Sequence, residues 1–342
     1  MRKRKKIDWG YILLAVACLL IGCLALVTRS GDCFMALAAA TVAALPLKDE
    51  LAERELIKKF RHANTWLVEI RSKPKWVGKD VIKIPKRGVA PKVLINNKIY
   101  PIVSNKRDDT YIAISLNKYD TTNTTVTDDE LYALPYEKLN DVQLQHREEL
   151  EDKTAEHALY SLAPSKHSTQ TPVLETTGPA DETGRKRLVS KDLIHLQKTL
   201  GNLNVPKEGR ILVLSPDHVA DLLLEDRKFE TQYHNAKAGV LAKMYYGFKV
   251  YESNYTPCYT DRLVKRSFDS VEVSRVASVV FHKRTTVKAT GSVKRYAQAA
   301  KDSPDFRENK IGFRLHFICV GIEDLGQAVL VSGKESAEEE GK

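Results

Sequence analysis

Histidines and acidic residues are the side chains of this 342-residue chain whose types could do chemistry, but their spacing forms no recognised reactive site. His146 and His157 stand beside acidic residues on one predicted helix, without the HExxH spacing that places two metal ligands one turn apart. His282 and His316 lie in apolar segments, where a hydrogen-bonded core histidine is commoner than a metal ligand. We therefore expect the first pair on a solvated helix face and the second pair in the core.

The sequence also lacks the backbone motifs that bind nucleotides or present a serine nucleophile. It contains no GxGxxG, no GxxxxGK[ST] and no GxSxG. The five cysteines are too few and too scattered for a disulfide framework, and no CxxC pair suggests structural zinc: Cys18, Cys23, Cys33, Cys258 and Cys319. We predict no catalytic, cofactor-binding or metal-binding residues, no small-molecule substrate and no enzymatic activity.

The composition describes a globular protein with a basic surface. Hydrophobic residues make up 43% and charged residues 29% of the chain, which argues against disorder. The formal net charge is +10. A surplus of this size suits contact with polyanions, although an ordinary solvated surface is the more frequent cause.

The first thirty-four residues carry a targeting-like pattern with three interpretations. A basic cluster, Arg2–Lys6, precedes an uncharged run from Trp9 to Thr28, whose 20 residues could span a bilayer of about 30 Å as a helix. This pattern fits a signal-anchor, or a signal peptide with the lipoprotein-like sequence Leu20–Cys23. In the third interpretation, which we favour, residues 1–34 extend the reading frame upstream of a true start at Met35.

A strand–helix–strand unit is predicted between Arg210 and Ser253. The all-apolar Ile211–Leu214 is typical of a strand that is buried on both faces. Ser215-Pro216-Asp217 starts a helix with a hydroxyl cap, a proline and an acid, and its apolar face consists of Val219, Leu222 and Leu223. Phe248–Tyr251 then alternates like a strand.

Other periodic segments define the rest of the chain. Two helical patterns, Ala36–Ala44 and Leu47–Ala63, come first, and then the period changes to that of strands. A long helix of about 28 residues, or roughly 40 Å, is predicted from Pro135 to Leu162. Lys166–Lys186 is predicted as a loop, and Ser190 caps a short helix, Lys191–Leu200, that stops at Gly201. The predicted strands are Val81–Ile84, Ile99–Val103, Thr110–Leu116, Val276–Lys283, Val287–Tyr296, Ile311–Gly321 and Gly326–Val331.

The order of these elements resembles the major capsid proteins of tailed phages of the Hong Kong 97 type. The resemblance is carried by LVLSP at 212–216, GFKVYES at 247–253, FHK at 281–283 and IGFRLHFICVGI at 311–322. It implies an α+β, Hong Kong 97-like capsid fold, with an N-terminal arm, an extended β-hairpin loop, a P-domain with a long spine helix, and an A-domain.

The resemblance also implies boundaries for these parts. We expect a hydrophobic N-terminal segment at 1–34, the arm at 35–65, the extended loop at 66–128, and the P-domain spine helix with its following loop at 129–189. The A-domain is expected at 190–270, the return strands of the P-domain at 271–333, and a disordered tail at 334–342. Subunit contacts are expected after Gly239 and at the turn Asn254–Pro257.

The implied function is structural. The chain is expected to form the hexamers and pentamers of an icosahedral phage or prophage capsid that encloses double-stranded DNA without sequence specificity. Scaffolding and portal proteins are the other expected partners, and assembly is expected in the host bacterial cytoplasm. Two alternatives stay open: an encapsulin-like nanocompartment shell, and a membrane-anchored or lipidated surface protein if residues 1–34 are a real targeting segment.

Overall fold

The structure is a computed structural model that describes residues 66–86, 88, 91–98, 100–102, 104, 106–127, 129, 138–234, 240–268, 270, 275–303 and 305–335. The predicted segments at 1–34 and 35–65 lie outside these residues, as does most of the predicted tail. Within the described ranges, none of the helices is both long enough and apolar enough to cross a membrane.

Four helices and a series of mostly short strands make up the described chain. The helices are α1 Lys138–Leu162, α2 Ser190–Asn202, α3 Pro216–Glu225 and α4 Arg227–His234. The strands are β1 Arg71–Ser72, β2 Val77–Gly78, β3 Val81–Lys86, β4 Thr110–Ser115, β5 Asn117–Asp120, β6 Thr124–Thr127, β7 Val173–Glu175, β8 Arg185–Lys186, β9 Arg210–Leu214, β10 Val240–Tyr245, β11 Phe248–Glu252, β12 Cys258–Tyr259, β13 Arg275–His282, β14 Thr286–Gln298, β15 Glu308–Gly321, β16 Ala328–Val331 and β17 Gly333–Lys334.

A seven-stranded sheet holds the main core. Its strand order is β10-β11-β9-β13-β16-β7, with β12 paired to β13. The strands β9 and β16 are buried at every residue because both of their faces are covered, which explains their continuous apolar sequences. Leucines of α2 and α3, together with Phe229 and Phe248, fill the space beside the sheet.

The unit between Arg210 and Ser253 has the predicted strand–helix–strand form. Strand β11 pairs in parallel with β9, so the connection between them crosses over the sheet. The Ser215 hydroxyl accepts a hydrogen bond from the His218 backbone N–H at 3.4 Å, and Pro216 is the first helical residue. The connection also contains α4 and β10, which the sequence analysis did not predict.

A five-stranded sheet is built around the long antiparallel pair β14 and β15. Its order is β1-β14-β15-β5, and β6 also pairs with β15. Helix α1 packs on β15, and the rings of His146 and Phe313 lie 5.6 Å apart between their centroids. The predicted long helix is confirmed over the 25 residues of α1, or roughly 37 Å; residues 130–137 are outside the described ranges.

Two of the predicted local elements are wrong. The predicted strand Ile99–Val103 is not a strand at 100–102, where Pro101 lacks the N–H that a ladder requires. The predicted loop Lys166–Lys186 contains β7 and β8, and β7 pairs in parallel with β16. Strand β7 has only three residues, which are too few to show the alternation of apolar and polar residues by which a strand is recognised.

The cap and stop of the short helix also differ from the prediction. Helix α2 begins at Ser190, and the carboxylate of Asp192 accepts the Val189 backbone N–H at 3.2 Å. The helix continues through Gly201 to Asn202, and the residue with left-handed backbone geometry is Asn204, with φ of 56°. Asparagine tolerates this conformation because its short polar side chain bonds locally.

Candidate assembly surface

A β-hairpin formed by β3, β4 and the residues between them packs against the five-stranded sheet near the ends of its strands. Strands β2, β3 and β4 form a separate three-stranded sheet. Near its base, the buried Ile82 and Ile84 pack against Val287 and Ile318 of β14 and β15. The hairpin base is therefore held by its own subunit, while strand β4 is exposed along most of its length.

A hydrogen-bonded turn fixes this base. Lys79 and Asp80 both have left-handed backbone geometry, with φ of 50° and 58°. The Asp80 carboxylate accepts hydrogen bonds from the Ser292 backbone N–H and hydroxyl, and these bonds hold the pKa of Asp80 below its ordinary value. A Cβ at Gly291 would lie 2.7 Å from Asp80 Oδ1, so a larger residue there would displace this carboxylate.

The outer part of the hairpin exposes a concentrated set of apolar side chains. Val93 is 88% exposed and Ile95 is 85% exposed. The remaining members of this set are Leu94, Tyr100, Ile102, Tyr111 and Ile112. Large contiguous apolar surfaces are uncommon on monomeric soluble proteins and mark places where another molecule binds.

Basic side chains surround these apolar residues. Six of them are exposed in the described part of the hairpin: Lys83, Lys86, Lys92, Lys98, Lys106 and Arg107. Asp108 and Asp109 are the acidic residues between Val81 and Asp109, and Asp109 pairs with Arg107 at 2.5 Å. The hairpin thus presents an apolar surface with a surplus of positive charge.

A cleft of about 660 Å³ lies between α1 and strands β5 and β6. His146 and Leu150 of α1 line it from one side, and Tyr119 of β5 lines it from the other. Glu149 and Lys153 of α1 lie at the cleft and place opposite charges there. The cleft is large enough to hold several side chains of a bound segment.

Two histidines of α1 lie nearer the interior than predicted. His146 is buried, and its predicted place on a solvated helix face is wrong. His157 is half-buried and its Nδ1 lies 2.6 Å from the Tyr119 hydroxyl. A repeat of four residues in the sequence could have revealed the burial of His146. The residues of this repeat form the face of α1 that packs on β15, and they include polar members: Val142, His146, Leu150, Thr154, Ala158 and Leu162.

His282 is a buried core residue, as predicted for an apolar segment, whereas His316 is only partly buried. His282 Nε2 lies 2.9 Å from the Glu208 carbonyl oxygen, and its Nδ1 accepts the Arg284 backbone N–H at 3.2 Å. His316 Nδ1 lies 3.0 Å from the Ser292 hydroxyl. Among the residues that the structure describes, no group of histidine, cysteine and acidic side chains is arranged to hold a metal ion.

Polar side chains connect α3 to β8 and to the seven-stranded sheet. Arg185 donates two hydrogen bonds of 2.8 Å to the carboxylate of Asp221, which is 4% exposed in its side chain. One turn earlier on α3, His218 Nδ1 lies 2.6 Å from the Ser278 hydroxyl and Nε2 lies 2.9 Å from that of Ser332. Burial lowers the pKa of His218 to about 4, so the ring is neutral at pH 7.

Comparison with known proteins gives matches in structure alone. No protein-family model and no curated protein sequence matches the chain. The capsid of Ralstonia phage GP4 is similar to it with a TM-score of 0.55 and 9% sequence identity, over 79% of this chain and 88% of that chain.

Two further phage capsid proteins are similar to this chain in structure, again at low sequence identity. The capsid of cyanophage P-SCSP1u matches with a TM-score of 0.54 and 12% identity, over 78% of this chain and 87% of that chain. The procapsid of satellite phage P4 matches with a TM-score of 0.50 and 10% identity, over 83% and 91%. The chain has the α+β, Hong Kong 97-like fold of tailed-phage capsid proteins.

Proposed function

We propose that this chain is the structural subunit of an icosahedral phage or prophage capsid. The observation that carries the proposal is the extent of the structural match to a phage capsid protein. The match covers 88% of the capsid chain and 79% of this chain. Subunits would associate as hexamers and pentamers, and closed symmetry of this kind uses the same surfaces repeatedly on every copy.

The hairpin supports a role in assembly. Its apolar outer part is largely uncovered by the residues that the structure describes, as the exposure of Val93 and Ile95 indicates. Covering such side chains contributes favourable free energy in proportion to the apolar area removed from water. A neighbouring subunit is the partner that a shell supplies to every copy.

Double-stranded DNA is the proposed content of the shell. The net charge of +10 favours a polyanion, and phosphate contacts of this kind carry no sequence information. A portal and a scaffolding protein are the proposed assembly partners; the similar P4 procapsid was solved with a size determination protein. The proposed role is structural and not catalytic, and assembly would take place in the host bacterial cytoplasm.

Expression of the chain followed by negative-stain electron microscopy tests the proposal. We expect closed shells or capsomer rings, and nuclease-protected DNA in particles assembled with the packaging machinery. Shells that enclose protein and never DNA would favour the nanocompartment instead. Membrane fractionation of the chain begun at Met1, beside the chain begun at Met35, tests whether residues 1–34 act as an anchor.

A further inference from the structure

We propose that residues 66–73 form a strap that joins the seven-stranded and five-stranded sheets, and that Glu69 is the positioning residue that holds this strap in register. The strap begins on the first of these sheets and ends on the second, so it links them directly. This link lies within one subunit, and its existence does not depend on the proposed function.

The N-terminal end of the strap packs on the seven-stranded sheet. Trp66 and Leu67 are buried, and the Trp66 ring meets the Phe281 ring of β13 edge-on, with 5.4 Å between the centroids. Ile70 is buried as well. Burial of apolar surface is favourable but has no preferred direction. It therefore holds the strap on the sheet without fixing its register.

The Glu69 carboxylate makes the directional contacts to the same sheet. Its Oε1 lies 2.5 Å from Lys249 Nζ and accepts a hydrogen bond from the Tyr251 hydroxyl at 2.9 Å, and both of these residues belong to β11. Its Oε2 lies 3.4 Å from Nζ of Lys283, which follows β13. Burial alone would raise the pKa of Glu69, but these hydrogen bonds and the lysine charges lower it, so the carboxylate is ionised at pH 7.

The C-terminal end of the strap is bound to the five-stranded sheet. Strand β1 pairs in parallel with β14, and the Lys73 backbone N–H donates to the Lys288 carbonyl oxygen at 2.9 Å. The Lys288 side chain extends back along the strap and donates to the Leu67 carbonyl oxygen at 2.7 Å. Leu67 and Glu69 are two residues apart, so their contacts tie β14 to β11 across a short piece of chain.

Charge explains why position 69 carries an acid. Lys249 and Lys283 share one carboxylate, so a glutamine in place of Glu69 would leave two cations close together without a counter-charge. The Glu69 side chain is 16% exposed, which limits the screening of this repulsion by water. We therefore expect loss of the charge to displace the strap and to loosen β1 on β14.

Hydrogen exchange of the full chain as unassembled subunits tests this link. Glu69→Gln should raise the exchange rates of the Lys73 amide and of β1 by about tenfold, although both lie on the other sheet. The matched control is Glu308→Gln, because the Glu308 side chain is 18% exposed and pairs with Lys310 within β15 at 2.6 Å. The control should leave these rates within about twofold of those of the unmodified chain.

A double-variant cycle distinguishes one strap from two independent contacts. Lys288→Met removes the donor to the Leu67 carbonyl oxygen and keeps a long apolar side chain. If Glu69 and Lys288 act through the same strap, the two changes together should raise the rates little beyond the larger single effect, because effects within one network do not add.

Three results would overturn the proposal. The first is an unchanged exchange rate in β1 after Glu69→Gln. The second is a double variant whose rates equal the product of the two single effects. The third is an equal rise in α2, away from the strap, which would indicate a general loss of stability. All of these rates are measured on unassembled subunits, so the outcome stands whether or not the chain forms a shell.

Discussion

The carboxylate of Asp80 accepts hydrogen bonds from both donors of Ser292, the backbone N–H at 3.1 Å and the hydroxyl at 3.0 Å. The two residues are 212 positions apart in the chain. This contact joins the turn at the hairpin base to the irregular point of β14 between Thr290 and Val293. We therefore expect it to hold the hairpin base on the five-stranded sheet.

Ser292→Ala should loosen the hairpin base. The change removes the hydroxyl that donates a hydrogen bond to the partly exposed Asp80 carboxylate. The free energy of opening the hairpin base should therefore fall by about 1 kcal/mol. Hydrogen exchange of the backbone amides in β3 and β4 measures the effect directly. Ser161→Ala, whose hydroxyl bonds back to the His157 carbonyl within α1, is the control. Unchanged exchange in β3 and β4 would show that the contact does not hold the hairpin.

The buried His218 predicts a loss of stability in mild acid. Burial lowers its folded-state pKa to about 4, below the unfolded value of 6.5, so the unfolded chain binds the proton more tightly. Its contribution is complete above pH 6.5 and is lost as the pH falls towards 4, by about 3 kcal/mol in all. The measurement is the free energy of unfolding of the subunit between pH 4 and 7.

A matched pair of variants isolates this effect from that of the carboxylates. His218→Gln should be less stable at pH 7 and should have a flatter pH dependence between pH 4 and 6.5. His195→Gln, an exposed histidine of α2, should leave the curve unchanged. Parallel curves for His218→Gln and the unmodified chain would refute the assignment to His218.

Asp221→Asn should destabilise the subunit strongly, because Asp221 joins α3 to β8. Asp221 also accepts the Leu188 backbone N–H at 2.9 Å, so the change disturbs three hydrogen bonds at a nearly fully buried carboxylate. Breaking one side of a buried ion pair costs about 3–5 kcal/mol. The expected result is a clear fall in the denaturation midpoint, whereas Asp120→Asn, at the exposed pair with Arg314, should change it little. Equal effects of the two changes would contradict this account.

Much of the fold was predictable because its signals are local. The apolar sequence Ile211–Leu214 and the start at Ser215 and Pro216 each carry their own structural information, and both are confirmed. Helix α4 was missed because Phe229 is its one buried residue among those described, which gives almost no periodic pattern. A strand can be recognised from sequence when all of its residues are buried and apolar. A short element with few buried residues cannot, because its structure depends on contacts with its neighbours.

The assembly surface was predictable only in outline. The resemblance to capsid proteins implied an extended β-hairpin loop at 66–128. Its anchor was not predictable because Asp80 and Ser292 are brought together only by the folded sheet. The cleft was missed for a similar reason, since the burial of His146 depends on the packing of α1 against β15.

Removal of the exposed apolar side chains should uncouple folding from assembly. Val93→Ser with Ile95→Ser changes two of the most exposed residues of the hairpin, so the stability of the subunit should change by about 0.5 kcal/mol or less. Sedimentation should show folded subunits that no longer enter particles. Leu224→Ser, an exposed apolar residue of α3, should assemble normally. Normal assembly of the double variant would exclude this part of the hairpin as an interface.

Electron cryo-microscopy of the purified, unmodified chain under assembly conditions tests directly whether this protein is the subunit of a closed shell. We expect closed particles whose reconstruction resolves fivefold and sixfold rings of this subunit, with each hairpin lying on a neighbour. A persistent monomer, or a small oligomer of fixed size that never closes into a shell, would contradict it.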